Sequence, residues 1–553
     1  MNNWTEYYKN LYSCFEPPVE FPTPERALAL GRDLDISEFL DVMYDLKLNK
    51  SPGFDGLTSE DLLSLIPIES PCKDFNNIPR LSSLKYIFRI FEDFWFNEAV
   101  PRDFKRTVLS PFLKKDTEDH TNPDNYRPIS LLNSLMKIYE GMICSRISRF
   151  FEDHRILSPC QAAYRKNRSI FDHITVLHEV FLEYRFRKPG PRGGTSKKPL
   201  YFCFLDLRKA FDTVNRNLLF KKLYRCGVRG KILRVIINLF SQNPANILVD
   251  GYLSPEFTIN RGVLQGSKLG PILFNLFIND LLDDLSHSGL GGTIGLLSIV
   301  ALGFADDIVL IADCPGKLQR MLDICTKWAK DNGMSFNASK CKVLPLNGAS
   351  TQVRLTMDGH TLDFVAAHRY LGVVLSSKYV TCLFKDHFQT TLVNSKNKAA
   401  AIRGLGFSSN GFRVETVIRL YKLLVRPLLE FCAQALHFGR YSQPAQPGGY
   451  AKTLEHHQTQ LLKTLTNSPR STSPSVVRLF CGIEPLISRL EILKLRYFWR
   501  TLHGPSDTLS YRILKHRKEN FLDSSNGLAR DVFNICVKYN IMHIWNGLPP
   551  PAV

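Results

Sequence analysis

Val-Ala-Leu-Gly-Phe-Ala-Asp-Asp-Ile-Val-Leu-Ile-Ala, residues 300–312, is the stretch that decides the fold. Two apolar runs flank the pair Asp306-Asp307, which predicts two buried strands joined by a tight turn at the aspartates. Two carboxylates in an apolar hairpin repel one another and lose hydration unless they are protonated or bind a cation. Such a pair suits Mg²⁺, which takes one or two carboxylates and completes its shell with water and phosphates. A turn at the protein surface explains the pair equally well at this point.

A third aspartate closes another predicted strand. Residues 201–205 are apolar and β-favouring, and they lead directly into Asp206, 100 positions before Asp306. Three aspartates from two adjacent strand ends can hold two metal ions, one activating an attacking oxygen and one stabilising a leaving oxygen. In contrast, residues 283–284 are an aspartate pair at the polar end of a predicted helix, where water solvates both charges. In a chain with an excess of Lys and Arg, the set of Asp206, Asp306 and Asp307 predicts nucleotidyl transfer on nucleic acid.

The composition describes a folded, basic protein. The 553 residues carry 71 Lys and Arg against 52 Asp and Glu, a net charge of +19, and 44% of them are hydrophobic. The length predicts several domains, and the apolar content excludes a disordered chain. The positive excess favours a polyanionic partner, because each neutralised phosphate releases counterions. Solubility is the alternative explanation of the charge.

Cysteine usage argues against a disulfide-rich secreted protein or a zinc ribbon, and hydropathy argues against a membrane span. The 13 cysteines are odd in number and include no Cys-x-x-Cys pair, which argues against a secreted disulfide framework and a zinc ribbon. We therefore expect an intracellular, reducing compartment and no disulfide-linked partner. Residues 285–305 lack formal charge, but their five glycines predict a loop followed by a buried strand and not a membrane span.

The remaining pattern mixes strands and helices without a regular βαβ rhythm, which predicts the α+β class. Residues 185–198 form a basic loop and residues 441–450 a linker rich in Gln, Pro and Gly. Helices are predicted at a segment capped by Thr58, at 86–95, from 207 to Gly227, at 271–282, at 413–431 with a kink at Pro427, and through 452–503.

The motifs, in this order, resemble the reverse transcriptase domain of non-LTR (LINE-like) retrotransposons. The similar segments are 50–56 (KSPGFDG), 125–132, 161–165, 204–214, 262–271, 304–307, 337–341 and 370–372. Three of these segments depart from the residues that are usual in the family. Ala163-Tyr164 stands in place of Gly-Phe, Leu264 in place of proline, and Phe304 in place of the commoner tyrosine. Each replacement keeps the size or the apolar character of the side chain. The resemblance implies a right-hand polymerase with fingers, a palm carrying an antiparallel sheet, and a helical thumb.

The same resemblance implies the domain organisation. Whole elements of this kind usually carry an endonuclease as well, so we expect the chain to be part of a larger protein. The expected regions are an N-terminal extension (1–100), fingers (101–200), the palm with the catalytic core (201–380), a thumb (381–440) and a C-terminal helical region (451–553).

The resemblance also assigns the catalytic roles. Asp206, Asp306 and Asp307 would be the metal ligands for two Mg²⁺ ions, with Mn²⁺ as an alternative, in agreement with the electrostatic argument. Lys340 occupies a position where an ammonium can protonate the leaving pyrophosphate.

Five further residues would bind the dNTP. Phe211 lies where the family places an aromatic ring that excludes a 2′-hydroxyl, although it also fits the core face of a helix. Gln265 and Gly266 would meet the nucleotide or template, and an ordinary helix entry is the alternative. Arg127 and Lys114 would clamp the triphosphate, although Lys114 also fits a solvated loop.

The leading hypothesis is RNA-directed DNA synthesis, in which a primer 3′-hydroxyl attacks the α-phosphate of a dNTP. Its partners would be an RNA template, a DNA primer or target, and dNTPs, and it would act in the nucleus at integration. Two alternatives stay open: a decayed or domesticated RNA-binding protein, and an RNA-dependent RNA polymerase, against which a bulky Phe211 argues.

Overall fold

The computed structural model describes residues 2–13, 19, 21, 29–66, 82–114, 119–186, 198–379, 382–405, 412–436, 450–521 and 527–548. They form helices and sheets in two compact units, in agreement with the predicted α+β class. Unit 1 comprises Met1–Tyr164, Leu207–Asp283 and Cys325–Asn337, and unit 2 comprises Arg165–Asp206, Asp284–Ile324 and Ala338–Val553.

Helices and strands alternate irregularly along the chain. The helices are α1 (Asn2–Tyr12), α2 (Ile36–Tyr44), α3 (Ser59–Leu63), α4 (Ser82–Asn97), α5 (Ser134–Asp153), α6 (Ile170–Phe186), α7 (Arg216–Arg225), α8 (Lys231–Leu239), α9 (Gly270–Phe277), α10 (Asn279–His287), α11 (Pro315–Asp331), α12 (Lys385–Gly404), α13 (Val414–Leu420), α14 (Arg426–Glu430), α15 (Tyr450–Leu465), α16 (Pro474–Cys481), α17 (Leu486–Leu502), α18 (Leu509–Glu519), α19 (Leu528–Lys538) and α20 (Met542–Trp545). The strands are β1 (Thr107–Leu113), β2 (Tyr126–Leu132), β3 (Leu200–Leu205), β4 (Asn243–Val249), β5 (Tyr252–Leu253), β6 (Phe257–Ile259), β7 (Gly292–Ile294), β8 (Leu297–Ile299), β9 (Ala301–Phe304), β10 (Asp307–Ala312), β11 (Lys342–Leu346), β12 (Thr356–Met357), β13 (His360–Thr361), β14 (Asp363–Phe364), β15 (Ala367–Tyr370) and β16 (Val373–Ser376).

The sheet of unit 1 has the order β2-β1-β4-β5, with β6 also paired to β4. β1 is antiparallel to β2 and parallel to β4. Pro128, Ser130 and Leu132 of β2 are buried while the residues between them are not, the period-2 pattern of a strand with one covered face. The capping box predicted at Thr58 is confirmed, because its side chain and that of Asp61 bond each other's backbone N–H groups.

The main sheet of unit 2 has the order β14-β11-β3-β10-β9. Every residue of the central strand β3 is buried, and both of its neighbours run antiparallel to it. This confirms the predicted strand at 201–205 and the hairpin at 300–312, since continuous apolar runs of this length are typical of buried strands. Only the edge strand β14 pairs in parallel, with β11.

Two predicted helices differ from the structure. Residues 208–213 form turns, and the helix after Asp206 begins only at Arg216. Lys209 has φ +45°, a left-handed conformation that a helix cannot contain. The predicted helix 271–282 is two helices, α9 and α10, broken at Ile278. At this break the Asn279 side chain bonds the backbone of Ser158 and Ile156, which shows the tertiary contact that replaces a continuous helix.

Other segments agree with the predictions more closely. The aromatic segment 86–95 lies in α4, and the predicted loop before the aspartate hairpin contains the small hairpin β7–β8. A π-helical turn, Tyr421–Val425, interrupts the 413–431 helix directly before Pro427, which lacks the N–H that a regular helix needs. The linker and most of the basic loop lie outside the described residues. No helix among the described residues is long and apolar enough to span a bilayer.

A buried ion pair joins two helices of the C-terminal region. Lys494 of α17 donates to Asp531 of α19 at 2.5 Å, and both side chains are at most 1% exposed. They lie beside an apolar cluster that includes Leu495, Phe498 and Val532. A buried charge is tolerated here because its partner and the surrounding hydrogen bonds replace water.

We predict that Lys494→Met destabilises the protein by about 3 kcal/mol, because it leaves the Asp531 carboxylate buried without its cation. Lys494→Met combined with Asp531→Leu should recover most of that loss. Lys515→Met, which breaks the exposed pair with Glu519 on α18, is the control and should change stability by less than about 1 kcal/mol. Chemical denaturation measures all three, and equal effects of the two single substitutions would contradict the prediction.

Glu140 of α5 fixes the backbone of the loop before α9. Its side chain is fully buried and accepts a hydrogen bond from the N–H of Lys268 at 2.8 Å. Burial is the main cause that raises its pKa to about 7, and hydrogen bonds from the side chain of Ser267 and from the loop backbone oppose it. The loop is therefore held by a carboxyl group whose ionised form is costly.

This raised pKa predicts a specific pH dependence of stability. The folded state binds the Glu140 proton more tightly than the unfolded state, so stability falls as pH rises from about 4.5 to about 7. Gln at this position has no proton to lose, so the free energy of unfolding of Glu140→Gln should not show this fall. Measured against wild type at the same pH, the variant should therefore gain about 3 kcal/mol between pH 5 and pH 8. Glu92→Gln, on the exposed side of α4, controls for the loss of one negative charge. If the free energies of unfolding of wild type and Glu140→Gln differ by the same amount at every pH, the raised pKa of Glu140 is refuted.

Candidate active site

The three predicted aspartates lie at one end of the main sheet of unit 2. Leu205, the last residue of β3, pairs with Ile308 of β10. Asp206 follows Leu205 and Asp307 precedes Ile308, so these two aspartates occupy neighbouring positions on adjacent antiparallel strands. Asp306 lies in the two-residue turn that joins β9 to β10. The structure therefore brings together the carboxylates that the sequence analysis grouped from distant positions.

The turn that carries Asp306 has an unusual backbone. Ala305, its first residue, has φ +56°, although alanine disfavours the left-handed region by roughly 1 kcal/mol. Two-residue hairpin turns need positive φ, and the pairing of Phe304 with Asp307 leaves room for only two residues. The consequence is that Asp306 is half-buried while Asp307, the next residue, is exposed.

Cys341 packs beside Asp206. The backbone N–H of Asp206 donates to the Cys341 Sγ at 3.4 Å. Burial raises the pKa of this thiol to about 11, with the charge of Asp206 as a smaller contribution in the same direction. Cys341 is therefore a neutral thiol at pH 7 and adds no negative charge to the aspartates.

Aromatic side chains surround the same end of the sheet. The Tyr370 hydroxyl lies 3.0 Å from the His173 Nδ1, and the Phe204 ring stacks on His368 at a centroid distance of 4.2 Å. Burial, and then the charge of Asp307, raises the pKa of Tyr370 well above its usual range. Burial lowers the pKa of His368, with the charge of Lys342 acting in the same direction. The Tyr370 and His368 rings are therefore neutral at pH 7, and together with Phe204 they form a largely apolar support for the carboxylates.

The donor set at this end fits a hard divalent cation. Carboxylate oxygens are the ligands that Mg²⁺ prefers, and the ion needs only one or two of them because waters and phosphates complete its shell. Within the described ranges, no group of three or more His, Cys, Asp or Glu side chains is placed so that it could hold a metal ion. The aspartates therefore match a divalent cation in the type of their ligand atoms.

Lys340 belongs to the same unit. It is exposed in the turn of residues 338–340, directly before Cys341 and the strand β11. β11 pairs with β3, which ends at Asp206. Lys340 therefore directly precedes Cys341, whose thiol contacts Asp206, and its own side chain is exposed to solvent.

The predicted triphosphate ligands lie on one hairpin of unit 1. Arg127 is an exposed residue of β2 and pairs with Phe112 of β1. Lys114 follows β1, and its Nζ donates to the carbonyl of Asp124 at 2.6 Å. Lys115, the next residue, lies outside the described residues. Both described cations therefore sit near the end of the β1–β2 hairpin.

Gln265 and Gly266 lie in a loop that packs tightly against β2. The N–H of Ser130 donates to the Gln265 carbonyl at 2.9 Å. Gly266 has φ +146°, and a Cβ at this position would approach the Ser130 carbonyl oxygen to 2.2 Å. Glycine is therefore required here by the closeness of two backbones. The loop has no freedom to move away from β2 without breaking this contact.

Phe211 lies beside the same loop. The N–H of Val263 donates to the Phe211 carbonyl at 2.8 Å, and the Phe211 ring stacks on Phe274 of α9 at 4.4 Å with an interplanar angle of 15°. The ring is half-buried in a turn and not on the core face of a helix. Its position is therefore fixed, while part of the ring remains accessible.

Asp212 is a buried polar residue that the sequence analysis missed. It is 5% exposed and accepts hydrogen bonds from the Tyr12 hydroxyl at 3.0 Å and from the Gln265 Nε2 at 3.2 Å. Burial raises its pKa to about 6, and the bonds from Tyr12 and Gln265 oppose that rise. Asp212 stands between Phe211 and Thr213, and nothing in this local sequence distinguishes it from a solvated turn residue.

The chain is similar in sequence to proteins of mobile elements. Residues 113–375 match the family model described as reverse transcriptase (RNA-dependent DNA polymerase). The RNA-directed DNA polymerase from mobile element jockey of Drosophila funebris is 26% identical over 420 residues, 74% of this chain and 42% of that protein. The Pol polyprotein of type-1 retrotransposable element R2 of Popillia japonica is 28% identical over 433 residues, 71% of this chain and 58% of that protein.

The chain spans about half the length of these curated relatives. Among solved structures, telomerase from Candida tropicalis in complex with a fragment of telomeric RNA covers 84% of this chain and 70% of its own, with 12% identity and a TM-score of 0.39. The family match covers the segments that carry Asp206, Asp306 and Asp307 as well as Arg127 and the 262–271 loop. Proteins of this family generally use divalent metal ions. Residues 113–375, a little under half of the chain, therefore match the reverse transcriptase family, and about seven-tenths of the chain is similar to proteins of non-LTR, LINE-like elements.

Proposed function

We propose that this chain is an RNA-directed DNA polymerase that transfers nucleotides from dNTPs to a primer 3′-hydroxyl on an RNA template. The observation that carries the proposal is the pairing of Leu205 with Ile308, which sets Asp206 beside Asp307 within the family-matched segment. The regions expected from the sequence, with fingers at 101–200, a palm at 201–380 and a thumb at 381–440, are part of this proposal.

In this proposal Asp206, Asp306 and Asp307 hold two Mg²⁺ ions, with Mn²⁺ as a substitute. Bound divalent ions would supply acidification of the attacking hydroxyl and charge stabilisation at the leaving phosphate. The aspartates themselves orient the site, because strand pairing and a two-residue turn fix their backbones. The buried, neutral Tyr370 and Cys341 beside them keep the local surroundings apolar, which strengthens electrostatic interactions there.

The side chains of unit 1 would act on the nucleotide. Arg127, exposed on β2, and Lys114 would neutralise phosphate charge, and the planar guanidinium of Arg127 can form two parallel bonds to phosphate oxygens. Gln265 and the backbone at Gly266 would contact the base or the template. Phe211, stacked on Phe274, would exclude a 2′-hydroxyl. The resemblance of these segments to the family's motifs and the local structure of unit 1 support these proposed roles.

Lys340 is proposed as the proton donor to the leaving pyrophosphate. Its ammonium is exposed and unencumbered by burial, so it can reach a phosphate oxygen in solvent. The net charge of +19 supports nucleic-acid partners, namely the RNA template and a DNA primer or target. Buried thiols such as Cys432, Cys481 and Cys536 fit a reducing compartment, and we propose the nucleus as the place of integration.

Asp306→Ala should abolish primer extension on an RNA template, lowering kcat by at least about a thousandfold, because one metal ligand is lost. The matched control is Asp284→Ala, an exposed residue of the aspartate pair on α10, and it should keep wild-type activity. Incorporation of labelled dNTPs into a primer measures both. Extension that survives Asp306→Ala would refute the proposal. RNA binding without extension in the wild type would favour the decayed, RNA-binding alternative.

Phe211→Ala should relax sugar selection. Removing the ring opens space for a 2′-hydroxyl, so the preference for dNTP over rNTP in kcat/KM should fall by about tenfold to a hundredfold. Wild-type extension with dATP and with ATP on the same oligo(U)-containing RNA template provides the comparison. Wild-type extension with rNTPs alone would identify an RNA-dependent RNA polymerase, and an unchanged ratio in Phe211→Ala would remove the role assigned to this ring.

A further inference from the structure

The N-terminal helix α1 presents a tyrosine-rich face to the residues that surround the proposed nucleotide site of unit 1. Thr5, Tyr8 and Tyr12 are buried on one face of the helix, while Tyr7 is half-buried at its edge. The helix is fastened at its end, because the N–H of Asn260 donates to the Tyr12 carbonyl at 3.1 Å. Its position is therefore determined by packing and by a backbone bond.

Tyr12 connects this helix to Gln265 through one carboxyl group. Its hydroxyl donates to the Asp212 Oδ1 at 3.0 Å, and the Gln265 Nε2 donates to both carboxyl oxygens at 3.3 and 3.2 Å. The amide nitrogen of Gln265 is thereby committed to Asp212. The amide oxygen makes no hydrogen bond to the described part of the chain, so it is the atom left to accept one from a ligand.

A second connection runs from Tyr7 to the β1–β2 hairpin. The Asp124 Oδ1 accepts from the Tyr7 hydroxyl at 2.6 Å and pairs with the Lys209 ammonium at 2.5 Å. The carbonyl of the same Asp124 accepts from Lys114 at 2.6 Å. One helix turn earlier, Trp4 packs edge-on against Tyr126, the residue before Arg127, at 4.8 Å.

We propose that α1 is a positioning element for the incoming nucleotide and that Tyr12 acts through Asp212 to hold the Gln265 amide in its binding orientation. The inference rests on the proposed function, because it gives Gln265 a nucleotide or template to bind. Without the Tyr12 hydroxyl, Asp212 loses one donor and is free to rotate, and Gln265 regains side-chain freedom. Binding a nucleotide must then order that side chain, which weakens affinity and leaves the chemical step unchanged.

The test compares two tyrosines of the same helix. Tyr12→Phe deletes the hydroxyl that bonds Asp212, and we expect KM for dNTP to rise on the order of five- to tenfold with kcat within about twofold of wild type. Tyr8→Phe is the matched control, because Tyr8 is equally buried and its hydroxyl has no hydrogen-bond partner among the described residues. It should leave both constants unchanged. Primer extension at saturating template–primer measures them, and thermal unfolding verifies that both variants are folded.

A double-substitution cycle tests whether Tyr12 acts through Gln265. Gln265→Ala alone should raise KM, and adding Tyr12→Phe to it should produce no further rise, because the group that Tyr12 positions is already absent. Multiplicative effects would overturn the inference. So would a Tyr12→Phe variant that loses kcat at constant KM, since a smaller folded fraction lowers the apparent kcat and leaves KM as it is.

A binding measurement separates this inference from the proposed polymerase function. A non-hydrolysable dNTP analogue is titrated with Mg²⁺ and template–primer into wild type, Tyr12→Phe and Tyr8→Phe. A wild type that binds the analogue but does not extend a primer refutes the polymerase proposal alone, and a Kd weakened five- to tenfold only in Tyr12→Phe still supports the positioning role. Equal Kd values in all three overturn the positioning role, and a wild type that neither binds nor extends overturns both proposals.

Discussion

The pairing of β3 with β10 is the constraint on which the site depends. Leu205 opposite Ile308 places Asp206 and Asp307 at the same end of two adjacent strands, and a slip of one residue would turn every side chain of β3 to the opposite face. Because both faces of β3 are buried, such a slip would force each side chain into a space packed for another, so the close packing of the sheet also fixes the spacing of the carboxylates. The hydrophilic site has no stabilising core of its own and takes its geometry from the apolar residues behind it.

The loop of unit 1 that carries Gln265 and Gly266 is fixed by polar contacts instead. In unit 1 the 262–270 loop is held by two buried carboxyl groups, Asp212 at the Gln265 side chain and Glu140 at the Lys268 N–H. Burial raises the pKa of both, so each destabilises the fold near neutral pH. A carboxylate surrounded by fixed donors gives a loop one orientation, which an apolar contact of equal size does not, because apolar contacts are not directional.

The sequence was most informative where a charge interrupts an apolar strand. Asp206, Asp306 and Asp307 were found in this way because strand period and turn length are local properties, and the structure confirms both strands. The start of α7 and the break at Ile278 were not predicted, since Lys209 with positive φ and Asn279 bonded to Ser158 depend on partners distant in sequence. The hydrogen bond between Tyr12 and Asp212 was not predicted for the same reason. The two residues are 200 positions apart, and no local sequence pattern in either segment indicates the bond.

Several locally unfavourable features lie where the proposed chemistry would occur. Ala305 and Leu371 adopt left-handed backbones in the two hairpins of unit 2 that carry Asp306 and Tyr370, and buried carboxyl groups hold the loop of unit 1. Each feature costs on the order of 1 kcal/mol or more and persists only because surrounding structure determines it. In both units that structure includes buried strands or helices with apolar side chains. Many combinations of apolar residues can support such a scaffold, whereas a paired carboxylate or a glycine packed against a carbonyl has no equivalent substitute.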